Sequence, residues 1–435
     1  MRLSIFTPTH RPIYLNDAFE SLLEQSFSDW EWVIIPNSAN GSTVEIPKHI
    51  ASHPQVKVIP ASTELAKQGI GALKLFACQQ CSGDYFIELD HDDILTPNAL
   101  KAIDQAATDT GSGFIYSDFT NFYPDGSCQI FGEAYGWKNY PFEFRGHTYT
   151  AMRAFATNAC SLHLIFHAPN HVRVWSRDAY FKAGGHDPKM HVVDDHDLLC
   201  RTYLTGAAFH HIPECLYLYR LQEGDQNSYL QMNDDIQRMQ QEVSNKYTYQ
   251  LITEWCRRHN HPMINLGHPA ECPPAYQQVA LENSPITGDP RYGIPLPDNS
   301  VGCVRAVDFL QHVQRHSTLP HAQTQEPKPL STIEMMNEIY RVLVPGGWLI
   351  SSTPSTDGRG AFQDPTHQSF WNANSFWYYT QREQARLIPE INCRFQGTRL
   401  WQAFQTDWHK QNNILYVHAD LVALKGQEQS GLVTI

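Results

Sequence analysis

Apolar residues along this 435-residue chain come in two rhythms, short continuous runs and a 3.6-residue spacing, and their alternation predicts an α/β protein. Residues 3–7 (LSIFT) read as a buried strand. After a turn, Leu15, Ala18, Phe19, Leu22 and Leu23 fall on one helical face. Strands follow at 31–35 (EWVII) and 56–59. A helical stretch at about 69–81 leads to a strand at 85–89 (YFIEL), with the acidic run DHDD directly beyond it. This alternation predicts a mostly parallel, doubly wound sheet. Ligands of such sheets bind beyond the carboxyl ends of the strands. Thr7–Arg11, Pro36–Ser38 and Asp90–Asp93 all lie at such ends.

Residues 121–172 are irregular and rich in aromatics, Gly and His, as expected of loops and short strands around a site. A second acidic cluster, VVDDHDLLCR, occupies 192–201. Ile236, Met239, Val243, Leu251, Ile252 and Trp255 then mark a long helix, and proline becomes frequent between 261 and 297. From about 298 a second α/β pattern begins. A helix carries Ile333, Met336, Ile339, Tyr340 and Leu343 on one face, the turn Pro345–Gly347 follows, and then the strand WLISS. The expected organisation is a first domain at 1–230, a helical connector at 231–262 and a smaller α/β domain at 263–435.

Composition narrows the function classes. With 42% hydrophobic and only 18% charged residues the chain can bury real cores, which excludes a disordered or fibrous protein. A net charge of −13 argues against a broad phosphate-neutralising surface. No segment approaches the roughly 18 consecutive apolar residues of a membrane helix, and MRLSIFTPTH lacks the apolar stretch of a signal peptide. The ten cysteines show no paired framework, and Cys78-x-x-Cys81 falls in a helical stretch, so buried reduced thiols are expected. A soluble, cytoplasmic protein is the expectation.

The acidic runs carry the candidate chemistry. Asp90, Asp92 and Asp93 crowd the end of an apolar strand, where carboxylates raise one another's pKa unless a cation lies between them. Such hard oxygen ligands suit Mg²⁺ or Mn²⁺, which could bridge a nucleotide's diphosphate and neutralise a leaving group. The competing account is a solvated turn in which Asp92 or Asp93 caps a helix over Thr96–Ala102. Asp194, Asp195 and Asp197 open a second helical pattern, where acids complement the helix dipole. One of them facing an acceptor could instead take its hydroxyl proton. Gly184-Gly185 upstream reads either as a close approach of backbone to ligand or as a plain turn.

Six motifs in order, TPTHRP (7–12), QSFSDWEWVII (25–35), GDYFIELDHDD (83–93), GGHD (184–187), DDHDLLCR (194–201) and LYLYR (216–220), resemble the family 2 glycosyltransferases with the GT-A fold, Rossmann-like with a mostly parallel sheet. The resemblance covers about residues 1–228. It implies that Thr7, Pro8 and Arg11 line a nucleotide pocket. Asp90 and Asp92 would be the D-x-D pair holding nucleotide and metal, with Mn²⁺ or Mg²⁺ as the ion. Asp195 would be the catalytic base of an inverting transfer, and Lys74 would lie near the diphosphate. The donor it implies is a nucleotide-sugar, a UDP-sugar first, and the acceptor a hydroxyl of a glycan or lipid-linked glycan. A DNA base is conceivable but draws no support from the acidic charge. Two departures stand out. Pro36-Asn37-Ser38 replaces the usual aspartate-bearing turn, leaving Asn37 to read the base through its amide oxygen. Tyr219-Arg220-Leu221-Gln222 lacks the family's metal-contacting His; His210 or His211 is the nearest substitute, although packing is the more ordinary role for either.

LPDNSVGCVRAVDFLQH (296–312), EIYRVLVPGG (338–347) and TDGRGAFQDPTHQSFWNANSFWYYT (356–380) resemble class I methyltransferases that use S-adenosylmethionine. The expected glycine-rich turn is reduced to Ile264-Asn265-Leu266-Gly267-His268-Pro269. Few residues remain for the strand whose acid would hold the ribose, with Glu282 or Asp289 as candidates. The expectation is a degenerate methyltransferase-like domain in which S-adenosylmethionine does not bind. Trp371, Phe376, Trp377, Tyr378 and Tyr379 are expected in its core rather than stacked on sugars. The rival expectations are a bifunctional glycosyltransferase/methyltransferase and a non-catalytic carbohydrate-binding scaffold. Neither the exact sugar nor the oligomeric state can be read from these residues.

Overall fold

The computed structural model describes residues 1–132, 136–165, 168–221, 232–280, 285–316 and 328–426. The chain divides into two compact units, one ending at Leu251 and the other beginning at Ile252.

The first unit begins with β1 (Leu3–Thr9), α1 (Leu15–Leu23), β2 (Trp30–Pro36), α2 (Lys48–Ala51), β3 (Val56–Val58), α3 (Thr63–Ala66), α4 (Ile70–Gln80) and β4 (Tyr85–Glu88). Then come β5 (Ile94–Leu95), α5 (Ala99–Thr110), β6 (Phe114–Phe122), β7 (Cys128–Gln129), β8 (Lys138–Phe144) and β9 (His147–Arg153). The unit closes with α6 (Ala159–Leu164), β10 (Arg173–Ser176), α7 (Arg177–Lys182), α8 (Asp194–Leu204), β11 (Phe209–Arg220) and α9 (Asn233–Arg258), within which the division falls. The predicted strands and helices up to β4 are all present. In α1 the face Leu15, Ala18, Phe19 and Leu22 is buried, whereas Leu23 is 52% exposed because the helix ends there and the fifth position turns off the stripe.

The central sheet has the order β3-β2-β1-β4-β10-β6-β11-β5. β3, β2, β1 and β4 are mutually parallel. β10 runs antiparallel to both β4 and β6, β11 is parallel to β6, and β5 is antiparallel to β11. Six of these eight strands therefore point one way, as the alternating pattern predicted. The core joins Ile5, Trp32, Ile34 and Ile87 of the strands to Leu15, Leu22, Leu100 and Ile103 of the helices. The reversal at β10 matters most for function. It brings the start of that strand, and not its end, to the edge where β1, β2 and β4 finish.

Two alternatives left open by the sequence are decided. α5 starts at Ala99 after Asn98, so neither Asp92 nor Asp93 caps it. Gly184 and Gly185, at φ 87° and 67°, form a plain turn: Arg201 donates to the carbonyls of Ala183 and Gly185, and a Cβ on Gly185 would meet Leu75 at 2.7 Å.

The second unit contributes β12 (Met263–Asn265), β13 (Gln277–Ala280), β14 (Ile286–Thr287), β15 (Val301–Val307), α10 (Thr332–Val342), β16 (Leu343–Pro354), α11 (Gly360–Gln363), α12 (Ala373–Thr380), α13 (Arg382–Ala385), β17 (Phe395–Ala403), α14 (Asp407–Gln411) and β18 (Tyr416–Ala423). Its sheet has the order β14-β13-β12-β15-β16-β18-β17, parallel from β14 to β16, with β18 antiparallel to both neighbours. α10 buries Met335, Met336, Ile339 and Val342; of the five positions predicted, Ile333 and Tyr340 are only partly covered. Trp371, Phe376 and Tyr379 enter the core as expected, but Trp377 and Tyr378 are exposed. Among the described residues no helix is long and apolar enough to cross a membrane.

Candidate active site

The carboxyl ends of β4, β6 and β11, the start of β10 and the first turn of α8 enclose a cavity of about 220 Å³. Lys74, Asp90 and Asp195, three of the residues singled out in the sequence, line it together with Glu88, Asn121, Asn170, His171, Arg173 and Tyr219. A chain of ion pairs runs beneath this wall. Lys74 Nζ, on α4, lies 2.5 Å from Glu88 Oε1 and 3.2 Å from Asp194 Oδ2. The Arg173 guanidinium, on β10, lies 2.7 Å from Asp195 Oδ2 and 3.6 Å from Glu88 Oε2. Among the described residues, Lys74 and Arg173 are the cations paired with Glu88, Asp194 and Asp195, and Asp90 and Asp93 lie beside them.

The charge imbalance shows in the acidities. Burial drives the Glu88 carboxyl up, but Lys74 and Arg173 outweigh it and bring the group down to about 2. Asp90 is raised to about 7 by burial and by the neighbouring Glu88 charge. Asp194 is raised to about 6, burial exceeding the pull of Lys74, and burial lifts Asp93 well above the carboxylate range. Burial first, and neighbouring negative charge second, make the ionised forms of these groups costly, and a divalent cation would offset that cost. Besides Glu88, whose oxygens face Lys74 and Arg173, three side chains of the cavity wall keep buried atoms without a hydrogen-bond partner: Asn121 Oδ1, His171 Nδ1 and Arg173 Nε. Buried polar atoms are ordinarily paired, so their concentration here marks a place prepared for a ligand.

The second acidic cluster separates into three roles. Asp194 faces Lys74 and, at 3.7 Å, His186. Asp195 faces the cavity and Arg173. Asp197 points the other way, bound by Arg201 at 2.6 Å and by the Tyr247 hydroxyl at 2.8 Å, and holds α8 to α9. Immediately before them Val193 has φ 61°, a left-handed conformation unusual for a β-branched residue and the kind of strain found where a site must be aimed.

The D-x-D-D turn is anchored from β11. Arg220 donates its backbone N–H to Asp93 Oδ1 (2.7 Å), its Nε to the Asp92 carbonyl (2.7 Å) and its Nη2 to Asp17 (2.6 Å). The Tyr217 hydroxyl donates to Asp93 Oδ2 at 2.8 Å. Asp90, Asp93 and His171 form a group that could hold a metal ion, with one ligand atom from each and all within 4.8 Å of one another. Asp92 is not in that group; it lies close enough to His10 and His91 to influence their charge.

The remaining predicted residues take less direct positions. Thr7 is fully buried, its hydroxyl donating to the Leu89 carbonyl and accepting from Trp32 Nε1, so it ties three strands together. Pro8 is buried in β1 and Arg11 half-buried beyond it. Asn37 donates its amide nitrogen to the Ile35 carbonyl at 3.1 Å, which turns the amide toward its own strand and keeps Oδ1 as acceptor. His211 binds Asp118 at 2.7 Å and stacks on Tyr116, away from the acidic turn. Gln222 lies outside the described residues.

Sequence reasoning missed Glu88, His171 and Arg173. Glu88 reads as one position of an apolar strand, and His171 and Arg173 sit in the irregular stretch; only the density of His and aromatics there signalled a site.

Residues 4–171 match the family model described as Glycosyl transferase family 2. A chondroitin synthase of Escherichia coli is 24% identical over 59% of this chain and 36% of its own length. Chondroitin synthase and hyaluronan synthase of Pasteurella multocida are each 25% identical over 52% of this chain and 21% of theirs. The chain therefore spans about a third or less of these relatives. Among solved structures, S. aureus TarS 1–349 aligns over 59% of this chain and 72% of its own with a TM-score of 0.42 and 13% identity. Its UDP-GlcNAc complex aligns over 59% and 73% with a TM-score of 0.43.

Proposed function

We propose that the first unit, which carries this family 2 glycosyltransferase domain, moves a sugar from a nucleotide diphosphate to an acceptor hydroxyl in one inverting, cation-assisted displacement. The observation that carries the reading is the placement of Asp195. Its carboxylate opens on the cavity shared with Asp90, and the buried Arg173 fixes it there. An acceptor hydroxyl reaching Asp195 gives up its proton to the carboxylate as its oxygen bonds to the anomeric carbon. The bond from that carbon to the diphosphate breaks on the opposite side, and its electron pair leaves with the nucleotide. Arg173 keeps Asp195 aimed, while Glu88 and Lys74 keep the surrounding charges paired. A divalent cation at the acidic turn, Mn²⁺ or Mg²⁺, would neutralise the departing diphosphate. Five carboxyl groups against two cations fit such an ion.

The donor is proposed to be a UDP-sugar, with Asn37 Oδ1 free to accept from the base N3–H and Arg11 at the same edge. The acceptor is proposed to be a glycan hydroxyl, in keeping with relatives named as chondroitin and hyaluronan synthases.

We further propose that the second unit is methyltransferase-like without a working cofactor site. The reversal of strand order between β12 and β15 is where such a sheet would take a ligand. There a Cβ on Gly267 would lie 2.1 Å from the Val307 carbonyl oxygen, so the turn is seated directly on β15. Between β12 and β13 stands only the short 3₁₀ turn Pro269–Glu271, in place of a helix whose N-terminus could receive a ligand. Asp289 is spent on Arg291 at 2.7 Å, and Glu282 lies outside the described residues. These residues do not fit S-adenosylmethionine.

A thermal-shift panel of UDP, GDP, dTDP, CMP and S-adenosylmethionine, each with and without Mn²⁺, tests both readings. A ligand at 100 times its dissociation constant adds about 2.7 kcal/mol of stability, which is readily seen. A Mn²⁺-dependent shift with UDP alone is expected; no shift with any nucleotide would overturn the transferase reading, and a shift with S-adenosylmethionine would restore the bifunctional one.

A further inference from the structure

We propose that His171 is a nitrogen ligand of the divalent cation, completing with Asp90 and Asp93 a site of two carboxylates and one imidazole. The proposal rests on the transferase reading and deepens it by naming the ligand set and the class of ion.

The antiparallel run of β10 makes this possible, because it delivers the residues just before Arg173 to the carboxyl edge. One ligand atom from each of the three residues lies within 4.8 Å of the others. Three ligands of one cation with bonds of about 2.1–2.2 Å lie on average no more than about 3.8 Å apart, so side-chain movements of up to about an ångström close the site. His171 is 5% exposed and its Nδ1 has no hydrogen-bond partner. Its ring is held by stacking, on Tyr217 at 4.5 Å and 13° and on Tyr219 at 5.5 Å and 19°. Stacking fixes the plane of an imidazole without using its in-plane lone pair.

Tyr217 also orients a second ligand through its hydroxyl on Asp93 Oδ2, and Arg220 N–H holds the other oxygen. Each Asp93 oxygen accepts one of these bonds and retains a lone pair for a metal. The same strand thus supports two of the three protein ligands, His171 and Asp93, from outside the coordination shell, the arrangement that tunes metal sites. His211, held by Asp118, cannot serve in this place. An imidazole among the ligands moves preference from Mg²⁺ toward Mn²⁺ and later divalent ions.

The test uses the full chain with UDP and Mn²⁺. Pulsed EPR of the bound Mn²⁺ is expected to show ¹⁴N coupling that disappears in His171→Gln, with Mn²⁺ affinity reduced at least about tenfold. His211→Gln, at a residue held by Asp118 away from the acidic turn, should keep both the coupling and the affinity. The wild-type spectrum needs no variant to fold, and the thermal midpoint reports whether His171→Gln does. Absence of ¹⁴N coupling in wild type, or its persistence in a folded His171→Gln, overturns the assignment while leaving the transferase reading intact. If wild type binds UDP equally with and without Mn²⁺, the cation-dependent reading itself fails.

Discussion

At the carboxyl edge of the first sheet, Asn121, His171 and Arg173 each keep a buried polar atom without a hydrogen-bond partner, and five carboxyl groups share two cations. At the corresponding edge of the second sheet Asn265, Asp308 and Gln311 each have polar partners. Asn265 accepts from Arg305 at 2.8 Å and donates to Gln278 at 2.6 Å. Asp308 accepts from Tyr416 at 3.0 Å, and Gln311 from Thr353 at 2.7 Å. Both sheets reverse strand order near the middle, so topology alone does not distinguish them. The difference lies in unmet valence: at one edge charge and hydrogen-bonding capacity exceed what the protein's own groups satisfy, and at the other the named groups satisfy one another.

The sharpest way to break this comparison is Asp195→Asn. Loss of a general base costs about 10²–10⁴-fold, so sugar transfer should fall by that much while calorimetry shows UDP binding nearly intact. Parallel loss of both would mean that Asp195 holds the fold or the donor and is not the base. Lys74→Met comes next, because it leaves Glu88 and Asp194 buried without their cation. Breaking such a pair costs about 3–5 kcal/mol, measurable by denaturant unfolding, and Mn²⁺ should recover part of it.

Asn265→Ala probes the closed edge. It strips Arg305 and Gln278 of a partner and should cost about 1–3 kcal/mol of stability with no change in transfer rate. A change in donor or acceptor kinetics would show that the second unit takes part in the reaction.

The smallest effect concerns pH at a purely structural site. Burial raises the Glu31 carboxyl, but Lys57, Ser4 and Ser82 together bring it down to about 2. A depressed folded-state pKa contributes stability above the unfolded value near 4.5, and that contribution fades as pH falls toward 2. Glu31→Gln should therefore flatten acid unfolding below about pH 4.5 and leave transfer at neutral pH unchanged, as read from midpoints across pH.

Much of the first unit was legible because its strands and helices have the periodicities that burial imposes. Leu3–Thr9, Trp30–Pro36 and Tyr85–Glu88 read as apolar runs, α1 as a stripe and α4 as a helical stretch. Asp90 and Asp195 were legible because carboxylates at strand ends and helix starts stand out, and Lys74 only through the family resemblance; all three line one cavity. His171 and Arg173 were not. No local pattern reveals that a strand will insert antiparallel between β4 and β6, since strand direction is decided by long-range pairing. Asn265 and Gly267 were read as a damaged motif, but nothing in their spacing shows that Val307 fills the opening.

Hydrogen–deuterium exchange with UDP and Mn²⁺ present tests the central contrast most directly, because ligand contact slows local opening. The account predicts protection in 86–95, 170–176 and 193–197, with 263–280 and 305–311 unchanged, and no protection anywhere from S-adenosylmethionine. Protection confined to the second unit, with the β4 and β10 segments exchanging as before, would contradict it.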